Sequence, residues 1–219
     1  MVIVTIDVYG CAMRLGKNLF LPVLLSTVLV ACSSSTGSKI SVDYYSINGK
    51  STAELDRQIR QKGPRINGGK HAVAVARIRM IPDLKFKPSH LGSPRESCTI
   101  TSAKVSVDAK VTLPRWAGRA KASAKLGEAW DNIEKYTRLH EATHVNIALF
   151  QAKKMEEALS GLSSKGNCTV LRLKARDIVR EALKVHDKVQ RKFDADEQRR
   201  FAQTAESLRR LKASTTPKS

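Results

Sequence analysis

The sequence predicts an α+β domain: a small, mostly antiparallel N-terminal β-sheet with one short helix, followed by a long helical hairpin. Three observations carry that expectation. Apolar and polar residues alternate in two stretches between His71 and Leu113, the period of strands with one dry face. Beyond Trp116 the period changes from 2 to 3.6 and stays helical to near the C-terminus. Gly166 and Cys168 interrupt that helical half once, which makes its two helices antiparallel neighbours.

In chain order, Ile40 to Ile47 reads as a strand with Tyr44 and Tyr45 on opposite faces, closed by the turn pair Asn48-Gly49. Ser51 and Glu54 have capping-box spacing, Leu55 and Ile59 make an apolar stripe, and Lys62-Gly63-Pro64 supplies a glycine cap and a stop. After a Gly68-Gly69 turn, Ala74, Ala76, Ile78 and Met80 share one face of a strand from His71 to Met80, with Arg77 and Arg79 on the other. The cleanest alternation runs from Ala103 to Leu113, and Pro114 is expected to end it. Gly127 to Gly161 bounds the first long helix. The second starts at about Thr169, with Leu171, Ala175, Ile178, Ala182, Val185, Val189 and Phe193 on one stripe.

The 219 residues carry 39 Lys+Arg against 20 Asp+Glu, a formal charge of +19, with 42% hydrophobic content. That is enough for one domain with a core, and the 27% charged content excludes a polytopic membrane architecture. Four cysteines with no CxxC spacing exclude a structural zinc ribbon.

Met13-Arg14-Leu15-Gly16-Lys17 followed by the apolar run Leu19 to Val30 has the form of a secretory signal, too short to span a bilayer. It ends Leu29-Val30-Ala31-Cys32, which resembles a bacterial lipobox, so residues 1–31 are expected to be a lipoprotein signal with Met13 as the true start and Cys32 as the lipidated residue. Residues 32–39 would form a flexible tether, 40–211 one domain, and 212–219 a disordered tail. Ser33 after the lipid cysteine points to the periplasmic side of the outer membrane. Removing the signal takes away only Arg14, Lys17 and Asp7, so the basic surplus belongs to the folded part. In an exported chain that surplus meets anionic envelope surfaces before nucleic acid, and no nucleic-acid partner is expected.

Inside the first long helix stands His140-Glu141-Ala142-Thr143-His144. Four residues advance a helix by about 400°, so both imidazoles lie on one face and can reach one zinc ion. Glu141 beside them is the residue type that takes a proton from a metal-activated water. Ile133, Tyr136 and Ile147 fall on the same face, which turns the pair toward the protein. A catalytic zinc needs a third protein ligand. A hairpin turning near residue 165 brings residues 185 to 187 opposite His144 and favours His186, which sits among Ala182, Val189 and Phe193. By periodicity alone Asp187, Asp194, Asp196 and Glu197 read as solvated carboxylates.

Tyr45-Ser46-Ile47-Asn48-Gly49, Ser51 to Leu55, Gly63-Pro64, Trp130 upstream of HExxH, Asn167-Cys168 and Phe193-Asp194 together resemble a bacterial family of predicted secreted zinc-dependent proteases. That family is zincin-like in its HExxH and is catalogued as a domain of unknown function (922 type). The resemblance spans about Ile40 to Asp194 and implies Asp194 as the third ligand. Many members continue with a Thr-x-His-Gly-like stretch, where this chain has Asp196-Glu197-Gln198-Arg199-Arg200.

In an oxidising envelope the two remaining mature cysteines, Cys98 and Cys168, are expected to pair. The sequence therefore leads to a lipid-anchored, monomeric zinc metallopeptidase acting on a peptide or protein, with His140, His144 and Asp194 as ligands and Glu141 as base. The alternative is a noncatalytic basic envelope lipoprotein with a structural or degenerate metal site. The lipobox predicts that the mature chain begins at acylated Cys32 and fractionates with outer membranes, while Cys32→Ser releases it. A Cys32→Ser protein that stays membrane-bound, with no acyl mass on the wild type, would refute the anchor.

Overall fold

In the computed structural model, which describes residues 3–4, 37–66 and 69–215, a mixed sheet is followed by two long helices. The elements are β1 (Ile3–Val4), β2 (Lys39–Ile47), α1 (Thr52–Lys62), β3 (Val75–Ser89), β4 (Ser97–Trp116), α2 (Ala124–Leu159), β5 (Ser163–Lys165) and α3 (Cys168–Thr215). Apart from Ile3–Val4, the expected signal segment lies outside the described residues, and so do Cys32 and the tether before Gly37. Helix α3 continues to Thr215, into the segment expected as a tail, and residues 216–219 lie outside the described residues. No described helix is long and apolar enough to cross a membrane.

Strand order is β1-β3-β4-β2, with β5 pairing the start of β4. β3 and β4 form the long antiparallel ladder, while β2 joins β4 in parallel and β1 joins β3 in parallel. The register slips between Lys85 and Phe86, so Thr101 is left without a partner in β3. That bulge inverts the phase of β4: Cys98 and Ile100 are buried before it, and Val105, Val107, Ala109, Val111 and Leu113 after it. The alternation visible from Ala103 therefore belongs to a strand that begins six residues earlier. Pro114 does not end it, because Pro114 and Trp116 still pair with Tyr45 and Ile47 of β2.

The strand expected over His71 to Met80 starts at Val75 and runs on through Pro82 to Ser89. The hydrogen bonding explains why Pro82 is tolerated. Val105, opposite Pro82, donates its N–H to Glu156 Oε1 at 2.8 Å, away from β3. Residues directly opposite in an antiparallel pair point their N–H groups both inward or both outward, so the Pro82 nitrogen faces the outer edge, where no ladder bond is lost.

Ser51 caps α1 by accepting the Glu54 N–H at 3.3 Å, and Glu54 reaches back to the N–H of Lys50 rather than of Ser51. Gly63 is not left-handed, with φ at −58°. It is needed for close approach: a Cβ there would stand 2.2 Å from the Ala72 carbonyl oxygen. A small cluster of Ile47, Leu55, Trp116 and Trp130 joins α1, the end of the sheet and the first turns of α2. Its two indoles meet edge to face, centroids 5.7 Å apart.

The main core fills the space between β3–β4 and the α2–α3 pair, with Ile78, Val107, Ala148, Met155, Leu159 and Leu171 among its buried members. Cys98 at the start of β4 is bonded to Cys168, the first residue of α3. Beside that bond β5 pairs with Ser97–Thr99, and the Ile100 N–H donates to Leu162 O at 2.8 Å, so the hairpin tip is fastened to the sheet. The bond closes a separation of 70 residues. Replacing either cysteine by alanine is expected to lower the unfolding free energy by roughly 4 kcal/mol on the chain-entropy account, read from urea denaturation. A variant whose denaturation midpoint coincides with that of the oxidised wild type would refute this.

Candidate metal centre

Helix α2 begins at its N-cap Ser123, whose Oγ accepts the Leu126 N–H at 3.4 Å, and its inner face lies on the sheet. That face buries Trp130, Thr137, Glu141, His144, Ala148 and Gln151. Ile133, expected on it, is 50% exposed. Helix α3 runs antiparallel alongside, and three contacts set the register. His144 meets Gln190, His140 meets Asp194, and Tyr136 meets Glu197. The residue opposite His144 is thus one turn beyond the position that a symmetric hairpin gives. His186 is fully buried but is not one of the three converging residues, and the partner brought to the histidines is Asp194.

His140 Nε2, His144 Nε2 and Asp194 Oδ1 form a triangle. The two imidazole nitrogens are 3.2 Å apart, and Asp194 Oδ1 lies 3.3 Å from His140 and 3.0 Å from His144. A tetrahedral ion about 2.0–2.1 Å from each ligand sets those ligands roughly 3.3–3.4 Å apart, so the three atoms fit one face of such a polyhedron. Two nitrogens and a carboxylate oxygen are also a donor set that zinc accepts. His144 is fully buried, whereas the Asp194 side chain is 31% exposed, so solvent reaches the group from the aspartate side. Phe193 packs against both imidazoles, with ring centroids 4.9 and 5.0 Å away.

Burial pushes the Asp194 carboxyl up, but the hydrogen bonds from His140 and His144 outweigh it and hold the group well below the usual carboxylate range. Glu141 goes the other way. It is 3% exposed, and desolvation raises its pKa against the opposing pull of His144 and His140. The Ala76 backbone N–H, facing the outer edge of β3 like the Pro82 nitrogen, donates to the Glu141 carboxylate. Glu141 Oε2 is buried with no hydrogen-bond partner among the described residues. Such an oxygen calls for a proton, a water or a ligand.

Of the carboxylates read as solvated, Asp196 pairs with Lys192 at 2.7 Å, and Asp187 lies against Arg191. Glu197 departs from that reading. Its side chain is mostly buried and accepts the Tyr136 hydroxyl at 2.5 Å, and burial, then that hydrogen bond, raises the tyrosine pKa. Gln190, whose amide touches His144, was not among the residues singled out from sequence. The signal available was its place four residues after His186 on the inner stripe of α3. A cavity of about 380 Å³ lined by Asn48, Gly49, Trp116, Lys121 and Leu126 shares no residue with the triangle.

The fold and site define an α+β domain whose helical hairpin carries a His, His, Asp group able to hold a metal ion. The family model described as "Bacterial protein of unknown function (DUF922)" matches residues 42–201, and the chain belongs to that family. No curated protein and no solved structure matches the chain.

A group whose folded pKa is raised contributes stability that is lost as pH rises through that pKa, so ionised Glu141 weakens the fold at neutral pH. Glu141→Gln is therefore expected to raise the melting temperature of metal-free protein by a few degrees at pH 7, with the gain shrinking as pH falls through the raised Glu141 pKa and absent once the medium is more acidic than an ordinary carboxylate's pKa. An unchanged or lower melting temperature at pH 7 would contradict the burial argument.

Proposed function

We propose that the chain is a zinc metallopeptidase of the cell envelope, anchored through Cys32 on the periplasmic side of the outer membrane. The observation that carries this reading is the convergence of His140, His144 and Asp194 to within 3.3 Å of one another while the neighbouring Glu141 holds one buried carboxylate oxygen without a hydrogen-bond partner among the described residues. Bound zinc would supply a water acidified to a pKa near 7 and a Lewis acid for a peptide carbonyl. Glu141, tethered by the Ala76 N–H, accepts a proton from the attacking water and returns it to the leaving nitrogen. Its raised pKa suits both halves of that transfer. The outer edge of β3 carries the two-residue strand β1 at Arg77 and Ile78, which marks backbone next to Glu141 as an edge that takes an extended segment, the place a peptide would occupy in its stead. The basic surplus of the chain favours anionic surroundings at the envelope surface.

A noncatalytic lipoprotein is the second reading. It draws on the contacts of Asp194 Oδ1 with both imidazoles, 3.3 Å to His140 and 3.0 Å to His144, which hold the three side chains together by themselves. Metal analysis and kinetics separate the two. The mature domain should carry about one zinc, and Glu141→Gln should keep it while losing roughly a hundredfold or more in hydrolysis of a peptide library. Asp194→Ala should weaken zinc binding itself. A domain that holds no zinc after gentle purification at neutral pH, and takes none up on titration, would eliminate the peptidase.

A further inference from the structure

His186 and Gln190 stand one turn apart on α3, both essentially without exposure, and neither belongs to the triangle. The Gln190 amide makes three contacts. Its Oε1 lies 2.6 Å from His144 Nδ1, and its Nε2 lies 3.0 Å from the His144 carbonyl oxygen and 2.8 Å from His186 Nε2. A carbonyl oxygen only accepts, so the amide atom facing it must be the NH₂ group, and this fixes which way the side chain is turned. The second amide hydrogen then points at His186 Nε2, which must be an acceptor. His186 is accordingly neutral with its proton on Nδ1, a state favoured by the burial that lowers its pKa.

The consequence falls on His144. The amide oxygen opposite His144 Nδ1 can only accept, so Nδ1 carries the proton. Nε2, which stands 3.2 Å from His140 Nε2 and 3.0 Å from Asp194 Oδ1, is then the nitrogen left for a ligand: it donates to the Asp194 carboxylate while it carries a proton, and offers its lone pair to a metal ion that displaces that proton. With the amide turned over, its NH₂ would face Nδ1 and drive the proton onto Nε2, into the space between the three ligand atoms. The His144 carbonyl oxygen opposes that turn, because it would then face the amide oxygen, and His186 Nε2 takes the second amide hydrogen of the observed orientation.

We propose that Gln190, oriented by the His144 carbonyl oxygen and by His186, is a positioning residue that keeps a proton on His144 Nδ1 and so presents Nε2 to a metal ion. This rests on the metal-centre reading of the triangle. It also gives a role to the histidine that symmetric hairpin geometry favoured as a ligand.

The test uses ¹⁵N-histidine NMR on the metal-free domain and again during zinc titration, reading whether the His144 Nδ1 proton is present in each. Wild type should show His144 protonated on Nδ1. Gln190→Met, of similar volume and without a polar end, should shift the ring toward Nε2–H and weaken zinc binding by roughly 10- to 100-fold, the scale for losing a partner of a metal-bound histidine. His186→Leu should move both readouts in the same direction by less. A wild-type ring that carries no proton on Nδ1 would overturn the proposal even if the variants fail to fold. So would a Gln190→Met domain with unchanged tautomer and zinc affinity. An Nδ1–H wild-type ring in a domain that takes up no zinc would overturn the metal centre instead, while supporting the hold of Gln190 on the proton.

Discussion

The register between α2 and α3 is the constraint on which the site depends. His140, His144 and Glu141 come from one helix and Asp194 and Gln190 from the other, so no ligand set exists until the helices are aligned along their lengths. A slip of one residue turns the α3 face by about 100° and carries Asp194 away from the histidines. A slip of a whole turn would set His186 opposite His144. The choice is made at the other end of the hairpin, where Cys168 is bonded to Cys98 of β4 and β5 pairs with the same strand. Helix α2 rests on β3 and β4 through Val145, Ala148, Ala152 and Met155, so fixing α3 to β4 also fixes it to α2.

This explains why the site was only partly legible. HExxH is local, and its spacing on one helix needs no tertiary information, so His140, Glu141 and His144 can be read directly from the sequence. The third ligand lies on another element, and its position depends on how the residues of the connection divide between the two helices. Symmetry about residue 165 was the simplest assumption, and it is one turn out. Resemblance supplied Asp194 where periodicity called it solvated. Gln190 was passed over because a glutamine among alanines and valines looks like an interruption of the apolar stripe, whereas here it is the one polar group able to meet two histidines and a backbone carbonyl together.

The sheet shows the same division between local and non-local information. Strict alternation from Ala103 to Leu113 revealed β4 and its dry face. From Ser97 to Ser102 the phase is the opposite one, because the bulge at Thr101 inverts the period, so strict alternation begins only at Ala103. Pro114 misled for a related reason. It reads as a strand breaker, but a proline harms a strand only where its nitrogen faces a ladder partner, and the direction of each N–H is decided by pairing that the sequence does not display.

The hairpin is chemically asymmetric along its length. Near the disulfide its helices meet through Met155, Leu159, Leu171 and Ala175, all buried and apolar. Beyond Ala182 the seam turns polar, through Gln190, His186, His144, His140 and Asp194, and buried polar groups stabilise only when every partner is in place. Two atoms in that half, His140 Nδ1 and His186 Nδ1, are buried without hydrogen-bond partners among the described residues. The polar half also lies farther from the covalent bond than the apolar half does. An ion held by two residues of α2 and one of α3 would join the helices at the end that neither the disulfide nor the apolar core secures. The contacts that make a metal centre are on this account also the ones that complete the packing of the hairpin.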